Sequence, residues 1–414
     1  MKFPFCILAL LLLASPVVRG EAPHFLLIQP ERLAELRAAY RGASSDELSP
    51  EATRLARQVM MDAEKSLALP VQTITANKNL QASGDPHDYF STGPYWWPDP
   101  SKTNGLPYIR RDGMRNPERN KISDQPVFLK MIQAVESLSL AYGISGDEKY
   151  AVQATRLLRG FFLDPKTRMN PNLDYGQAIP GLVSGRGNGV IDTIYLIKMP
   201  DILSLIQGSA SWSAKDRREI TDWFKTFSLW LERSKNGREE KMAINNHGIA
   251  YDLQLSGVLV AAGYGKKARS VLGSLLPRRM DSQIMADGKQ PKELERTNSW
   301  DYCSFNLRNL CKAATIAQSL GIDLWNHKSR DGRGSMKQAM LYLVPFLNHP
   351  KDWKTTQILP FHTGEARVWL GMGSAVYGDT LIRTAQREYA PLKKQDLQDW
   401  LMIPLQPSAL IGVH

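Results

Sequence analysis

Apolar residues recur at three- and four-residue intervals along most of this chain, and the segments they define are joined by very short turns. PERLAELRAAY (30–40) and PEATRLARQVMMDAEKSLAL (50–69) come first. DQPVFLKMIQAVESLSLAYGISG (124–146) runs straight into DEKYAVQATRLLRGFFLD (147–164). VIDTIYLIKMPDILSLIQ (190–207) leads to SAKDRREITDWFKTFSLWLERSK (213–235), and NHGIAYDLQLSGVLVAAGY (246–264) to GKKARSVLGSLLPRRM (265–280). DYCSFNLRNLCKAATIAQSLG (301–321) and SMKQAMLYLVPFLN (335–348) close the series. That spacing is the helix period. The junctions ISGDEKY, AGYGKKA and GSASWSAKD end one helix at or near glycine and open the next on a polar cap. Helical hairpins returning about every fifty residues predict an all-α chain folded as an incomplete α/α toroid, with an inner ring of helices around a cleft or tunnel. Strand-like alternation is scarce and no Pro/Ser/Gly linker divides the chain, so residues 21–414 read as one toroid domain with its C-terminal tail, from about Lys393, packed on the body.

The first twenty residues stand apart. Met1-Lys2 precedes the apolar run CILALLLLA (6–14), and Ser15, Gly20 and Glu21 follow. This is the pattern of a cleaved signal peptide, and the apolar run is short of the about 20 residues a membrane span needs. The expectation is an exported protein, periplasmic or secreted, with no membrane anchor. Two further cysteines, Cys303 and Cys311, lie eight positions apart on one predicted helix. A rise of about 1.5 Å per residue puts them on the order of 12 Å apart, too far for a disulfide. Stability must therefore come from a large core.

Charge narrows the partner. Lysine and arginine outnumber aspartate and glutamate, 52 to 41, for a net charge of +11. Two of those charges, Lys2 and Arg19, belong to the leader. A basic exported chain suits a polyanion. Zinc-knuckle, helix-turn-helix and Lys/Arg-tail patterns are missing, which favours an acidic polysaccharide over nucleic acid. The seven histidines form no HExxH or other close ligand pair, so neither a metal nor another cofactor is expected.

Four stretches carry residues that helical packing explains poorly. HDYFSTGPYWWPDPSKTNGLPYIRRDGMRNPERNK (87–121) sets Tyr89, Phe90, Tyr95, Trp96, Trp97 and Tyr108 beside Arg110, Arg111, Arg115 and Arg119. Aromatic faces stack on sugar rings, and arginine forks onto carboxylates. Tyr89, Tyr95, Trp96, Trp97, Arg110 and Arg111 are candidate substrate contacts. NLDYGQAIPGLVSGRGNGVID (172–192) places Arg186 and Asn188 between glycines before a helix. Such a loop can face an anion, but it lacks the Lys-Ser/Thr ending of a phosphate loop. INNHG (244–248) spends Asn245, Asn246 and His247 at a helix start, and KELERTNSWDYCSFNL (292–307) supplies Glu293, Glu295, Arg296, Asp301 and Tyr302.

Breaking a 1,4-linked uronate chain by elimination needs such a set. The C5 hydrogen beside a carboxylate is barely acidic, so the carboxylate must first be neutralised. The C5 proton is then removed and the departing O4 protonated. Asn245 or Asn246, His247 and Arg296 suit the first task, and Tyr302 or His247 the second. A tyrosine near an arginine has its anion favoured and its pKa lowered.

INNHG, the Arg296–Tyr302 pair, and YWWPDP with its arginine-rich sequel together resemble the alginate-lyase superfamily of helical polysaccharide lyases over roughly residues 80–350. The resemblance implies an incomplete α/α toroid and β-elimination in a central cleft or tunnel. It places Asn246 and His247 at carboxylate-neutralising and proton-handling positions, Arg296 in a supporting cationic role and Tyr302 at the acid/base, with Asn188 as a further carboxylate contact. Flanking sequence looks closer to the branch with mannuronan- and glucuronan-active enzymes. In β-D-mannuronate and β-D-glucuronate chains the C5 hydrogen and O4 leave from the same face, so Tyr302 could serve as both base and acid. The competing assignment makes His247 the base. Two other functions fit the residues: a glycoside hydrolase using paired carboxylates from among Asp99, Glu293, Glu295 and Asp301, or a non-catalytic binder of acidic glycan.

Overall fold

The computed structural model describes residues 24–44, 48–76, 82–330, 332, 334–361, 363–391 and 396–405. The proposed leader, 1–20, lies outside the described residues. Helices dominate, and they differ in how they are buried. The helix Asn246–Ala261 buries thirteen of its sixteen residues, whereas Ala214–Arg233 buries seven of twenty. A helix apolar all round belongs inside and one with a single apolar stripe belongs on the rim. Asn246–Ala261 accordingly packs on both Ser299–Ser319 and the turn-rich segment Gly187–Lys198, while Ala214–Arg233 covers it from outside. Gln125–Ser145 and Glu148–Leu158 pair as a hairpin, with Gly146 left-handed between them (φ 76°) and Asp147 capping the second helix. This is the helical toroid, built as its periodicity predicts.

Three departures from the predicted helices have physical causes. Residues 187–198 form tight 3₁₀ turns rather than α-helix, with Thr193 out of helical geometry at φ −107°. Val190, Ile191, Thr193, Ile194 and Ile197 are β-branched and crowd a helical turn. The run 265–280 is interrupted by a π-turn at Val271–Leu275 before helix resumes at Leu276–Gln283. Two helices not predicted, Ala366–Tyr377 and Thr380–Tyr389, extend the second half. The stretch from 70 to 123 is non-helical for most of its length. It carries the strand Phe90–Thr92, parallel to Tyr175–Ala178, and the two-residue strand Trp96–Trp97, antiparallel to Ile109–Arg110.

The apolar interior forms two cores that share their ends. One runs from Leu33 to Val271 and also takes Trp400 and Leu401. The other spans Ile197 to Ala390 and takes Leu26, Leu27, Met402 and Ile403. The N-terminal segment thus reaches into the second core and the short helix Leu397–Met402 lands on the first. Gln29 N–H donates to the Leu401 carbonyl (2.9 Å), and Arg32 Nε to that of Ile403 (3.0 Å). Cys303 and Cys311 are buried and free.

The aromatic loop is pinned by one buried carboxylate. Asp192, 2 % exposed, accepts from Arg119 Nη2 (2.9 Å), Ser91 Oγ (2.5 Å), Gln177 Nε2 (3.0 Å) and Tyr89 Oη (3.2 Å). Tyr89 is fully buried, so its placement among the substrate contacts is corrected: the ring is core and the hydroxyl serves Asp192.

Candidate active site

Three chain segments meet at their N-terminal ends. At the head of Asn246–Ala261 the three polar residues of INNH divide their work. Asn245 caps the helix, its side chain accepting from His247 N–H (3.3 Å). Asn246 is 1 % exposed, with its backbone N–H on Glu293 Oε1 (2.7 Å) and its Nδ2 on Glu293 Oε2 (2.6 Å). The sequence reading gave Asn245 and Asn246 to the substrate. Here Asn246 is buried, with its backbone N–H and one of its two side-chain N–H groups on the Glu293 carboxylate. Burial pushes the Glu293 carboxyl up, against the pull of Asn246, Arg296 and His247.

His247 keeps its imidazole partly open, at 18 % exposure. Its Nδ1 lies 2.5 Å from Glu240 Oε1, and Glu240 is 3 % exposed. A carboxylate only accepts, so Nδ1 carries the hydrogen and Nε2 is left as an acceptor. Asn188 Nδ2 lies 3.5 Å from both ring nitrogens, so the amide sits against the ring. Asn188 reaches this place because Gly187 and Gly189 let the loop press in. A Cβ on Gly189 would stand 2.4 Å from the Gly176 backbone, and one on Gly187 2.9 Å from that of Glu240. The glycines serve close approach to protein, and the carboxamide between them faces the site.

The second cluster forms at the start of Ser299–Ser319. Tyr302 Oη accepts from Arg296 Nη2 (2.6 Å) and is 2.7 Å from Tyr95 Oη. The Arg296 guanidinium also lies 3.7 Å from the Tyr302 ring centroid. Asp112 holds that arginine in place, accepting from Arg296 Nη2 (3.0 Å), Arg110 Nη2 (2.6 Å) and Thr297 Oγ1 (2.9 Å). Burial would raise the Asp112 carboxyl, but these donors bring it down to about 2. Burial pushes the Tyr302 phenol up, Tyr95 adds to the rise, and Arg296 opposes it without winning. The expectation that the arginine leaves this tyrosine unusually acidic is therefore overturned by desolvation.

The clusters are linked through one buried carboxylate. Glu293 feels the charges of both Arg296 and His247. On the other flank, Arg186 stands under Trp96, 6.0 Å from the ring, and feels Arg110, Glu239 and Glu240. Arg186 is aimed by Gln177, whose carbonyl and side-chain oxygen accept from it at 3.1 and 2.9 Å. Gln177 has φ 50°, unusual for a residue with a Cβ, a conformation costing about 1–2 kcal/mol. Its bonds to Asp192 and Ser91 hold it there. Trp97 is tied to the loop itself, through its Nε1 to the Met114 carbonyl (2.8 Å) and under Arg111 at 5.4 Å. Arg110 and Arg111 are exposed.

Sequence reasoning missed Glu240, Asp112 and Gln177. Nothing marks them, because each matters only through a partner that folding supplies. The four candidate hydrolase acids are dispersed among other partners. Asp99 caps a turn on Ser101, Glu295 pairs with Lys292, Glu293 serves Asn246, and Asp301 accepts from Gln357. Among the described residues no three His, Cys, Asp or Glu side chains group as a metal site.

Comparison with known proteins follows the same line. A family model described as alginate lyase matches residues 73–353. The chain is similar to the alginate lyase of Bacteroides ovatus at 35 % identity, over 93 % of this chain and 100 % of that one, with a TM-score of 0.84. It also shares its fold with alginate lyase A1-III of Sphingomonas species A1, at 15 % identity over 88 % and 93 % of the two chains, TM-score 0.55. A variant of A1-III complexed with tetrasaccharide aligns at 16 % identity over 87 % and 89 %, TM-score 0.57. No curated protein matches.

Proposed function

The chain belongs to the alginate lyase family and is a polysaccharide lyase, and from that premise we propose that it cleaves 1,4-linked polymannuronate or glucuronan by syn β-elimination, with Tyr302 handling both protons. The observation that carries this reading is the contact of Arg296 with Tyr302, on both its oxygen and its ring, since a guanidinium there stabilises a phenolate directly. The Tyr302 phenolate takes the C5 proton, the C4–O4 bond breaks as the C4–C5 double bond forms, and the new phenol returns its proton to O4. Asn188 and His247 face the uronate carboxylate, Glu240 fixes the imidazole, and Arg186, Trp96 and the exposed Arg110 and Arg111 hold neighbouring sugars.

A second assignment has its own support. Burial keeps the Tyr302 phenol protonated, which readies it as an acid, and His247 Nε2 would then take the C5 proton. The two are separated by the pH dependence of kcat/KM, which reports essential groups of the free enzyme. A tyrosinate base gives activity still climbing on the alkaline side. A histidine base gives no such alkaline climb. The reading as a whole is tested by the ultraviolet absorbance of unsaturated uronate ends on polymannuronate, polyguluronate and glucuronan. New reducing ends without that absorbance would sink it in favour of hydrolysis. The N-terminal pattern adds the proposal that the enzyme works outside the cytoplasm, checked by locating it after cell fractionation.

A further inference from the structure

Two of the segments that reach the site, Gly187–Lys198 and Ser299–Ser319, also border a second space further along, lined mostly by apolar side chains such as Ile194, Ile197, Ile202 and Leu205 with a few charged groups among them. It is a cavity of about 50 Å³ beneath the crossed chain ends, walled by Glu136, Lys198, Asp201, Asn309 and Lys312, with Leu27 and Gln398 among its cover. Its carboxylates are all engaged. Glu136 accepts from Lys198 Nζ (2.8 Å) and Gln398 Nε2 (2.7 Å). Asp201 accepts the backbone N–H groups of Leu26, Leu27 and Ile28 at 2.6–3.0 Å. Arg308, also on the wall, pairs with Glu365 at 2.6 Å.

Lys312 is the exception. It is only partly buried and lines the cavity. Among the described residues it has no ion pair. Asp399 and Glu365 act on it only from beyond salt-bridge distance, against Arg308 and Lys198. Burial first, then those two cations, push its ammonium down to about 8. On the same helix face, one turn earlier, Asn309 is 1 % exposed and its Nδ2 has no acceptor, and neither has Arg308 Nε. A partly buried cation with unsatisfied donors around it lacks an anion.

We propose that this cavity binds a small inorganic anion of halide size, held by Lys312 and Asn309. A water needs about 10–15 Å³ of such space, so the cavity has room for a halide with one or two waters and none for a sugar ring. It is therefore not a second substrate site. A surface groove shares Glu136, Lys198 and Gln398 with the cavity wall.

The test is thermal unfolding of the whole protein in sodium gluconate, with chloride or bromide replacing gluconate at constant ionic strength. The expected result is a saturable rise in Tm of about 2–3 °C that vanishes in Lys312→Met. That variant should match or exceed the unaltered protein in gluconate, since it removes an unpaired, partly buried charge. A flat or non-saturating response, or a saturable rise that survives in Lys312→Met, overturns the proposal. Should Lys312→Met not fold, crystals of the unaltered protein grown with bromide decide it: an anomalous peak between Lys312 and Asn309 supports the site, and an empty cavity refutes it.

Discussion

The two arms of the cleft are built in opposite ways. The histidine arm is largely local: Glu240 and His247 are seven residues apart, on either side of one helix break. The tyrosine arm is assembled across the chain, since Tyr95 meets Tyr302 over 207 positions and Asp112 meets Arg296 over 184. The first comes preformed by the helices. The second exists only while the loop carrying Tyr95 and Asp112 is docked. The two proposed tasks, carboxylate neutralisation and proton transfer, thus rest on structures of different robustness, and substitutions should separate them.

The sharpest contrast comes from Tyr302→Phe. It removes the proposed proton-transfer group and should lower kcat by about 10²–10⁴-fold with KM and Tm nearly unchanged, read by steady-state absorbance and thermal unfolding. If activity survives, the tyrosine arm is not the catalytic one. Glu240→Gln should come next, with kcat/KM down about 10–100-fold, the scale seen when a group orienting a functional histidine is lost. Retention of full activity would make the Glu240–His247 contact incidental.

Asp112→Asn tests whether the tyrosine arm depends on loop docking. It should reduce kcat several-fold by loosening Arg296 while leaving the histidine arm intact. The same residue has a pH signature. Its carboxyl is depressed from about 3.9 in an unfolded chain to about 2. Its contribution to stability is therefore complete above about pH 4 and lost as pH falls through about 2. The variant should show a shallower fall of Tm across that window, and an unchanged profile would mean that the pair adds nothing. The smallest effect is expected at Tyr89→Phe, where one hydrogen bond to Asp192 is lost. Stability should drop by about 1 kcal/mol in denaturant unfolding with no change in KM. A raised KM would return Tyr89 to the substrate.

How far the sequence foretold this depends on the range of the interaction. The helices were legible because a 3.6-residue apolar period is a local property. Arg296 and Tyr302 were legible as a pair because six positions and one helix start hold them together. Tyr89 and Tyr95 were not distinguishable, since each is a tyrosine in the same loop. One faces a buried carboxylate and the other a catalytic candidate only after the strand Phe90–Thr92 pairs with Tyr175–Ala178. Asn245, Asn246 and Asn188 pose the same difficulty, because a carboxamide can cap a helix, satisfy a glutamate or face a sugar with equal chemistry. The rise of the Tyr302 phenol was missed because desolvation is a property of the packed site, and the arginine was the only influence visible in the chain.

The crossed termini have a consequence for how the molecule is made. Leu26 and Leu27 belong to a core completed by residues as late as Ile403, and Trp400 and Leu401 finish one begun at Leu33. Neither core can be finished without these residues, so synthesis must pass Ile403 before the ring can close. A ribosome that stops short of Leu397 releases a ring with a greasy seam on each side, the kind of product that proteases and chaperones recognise.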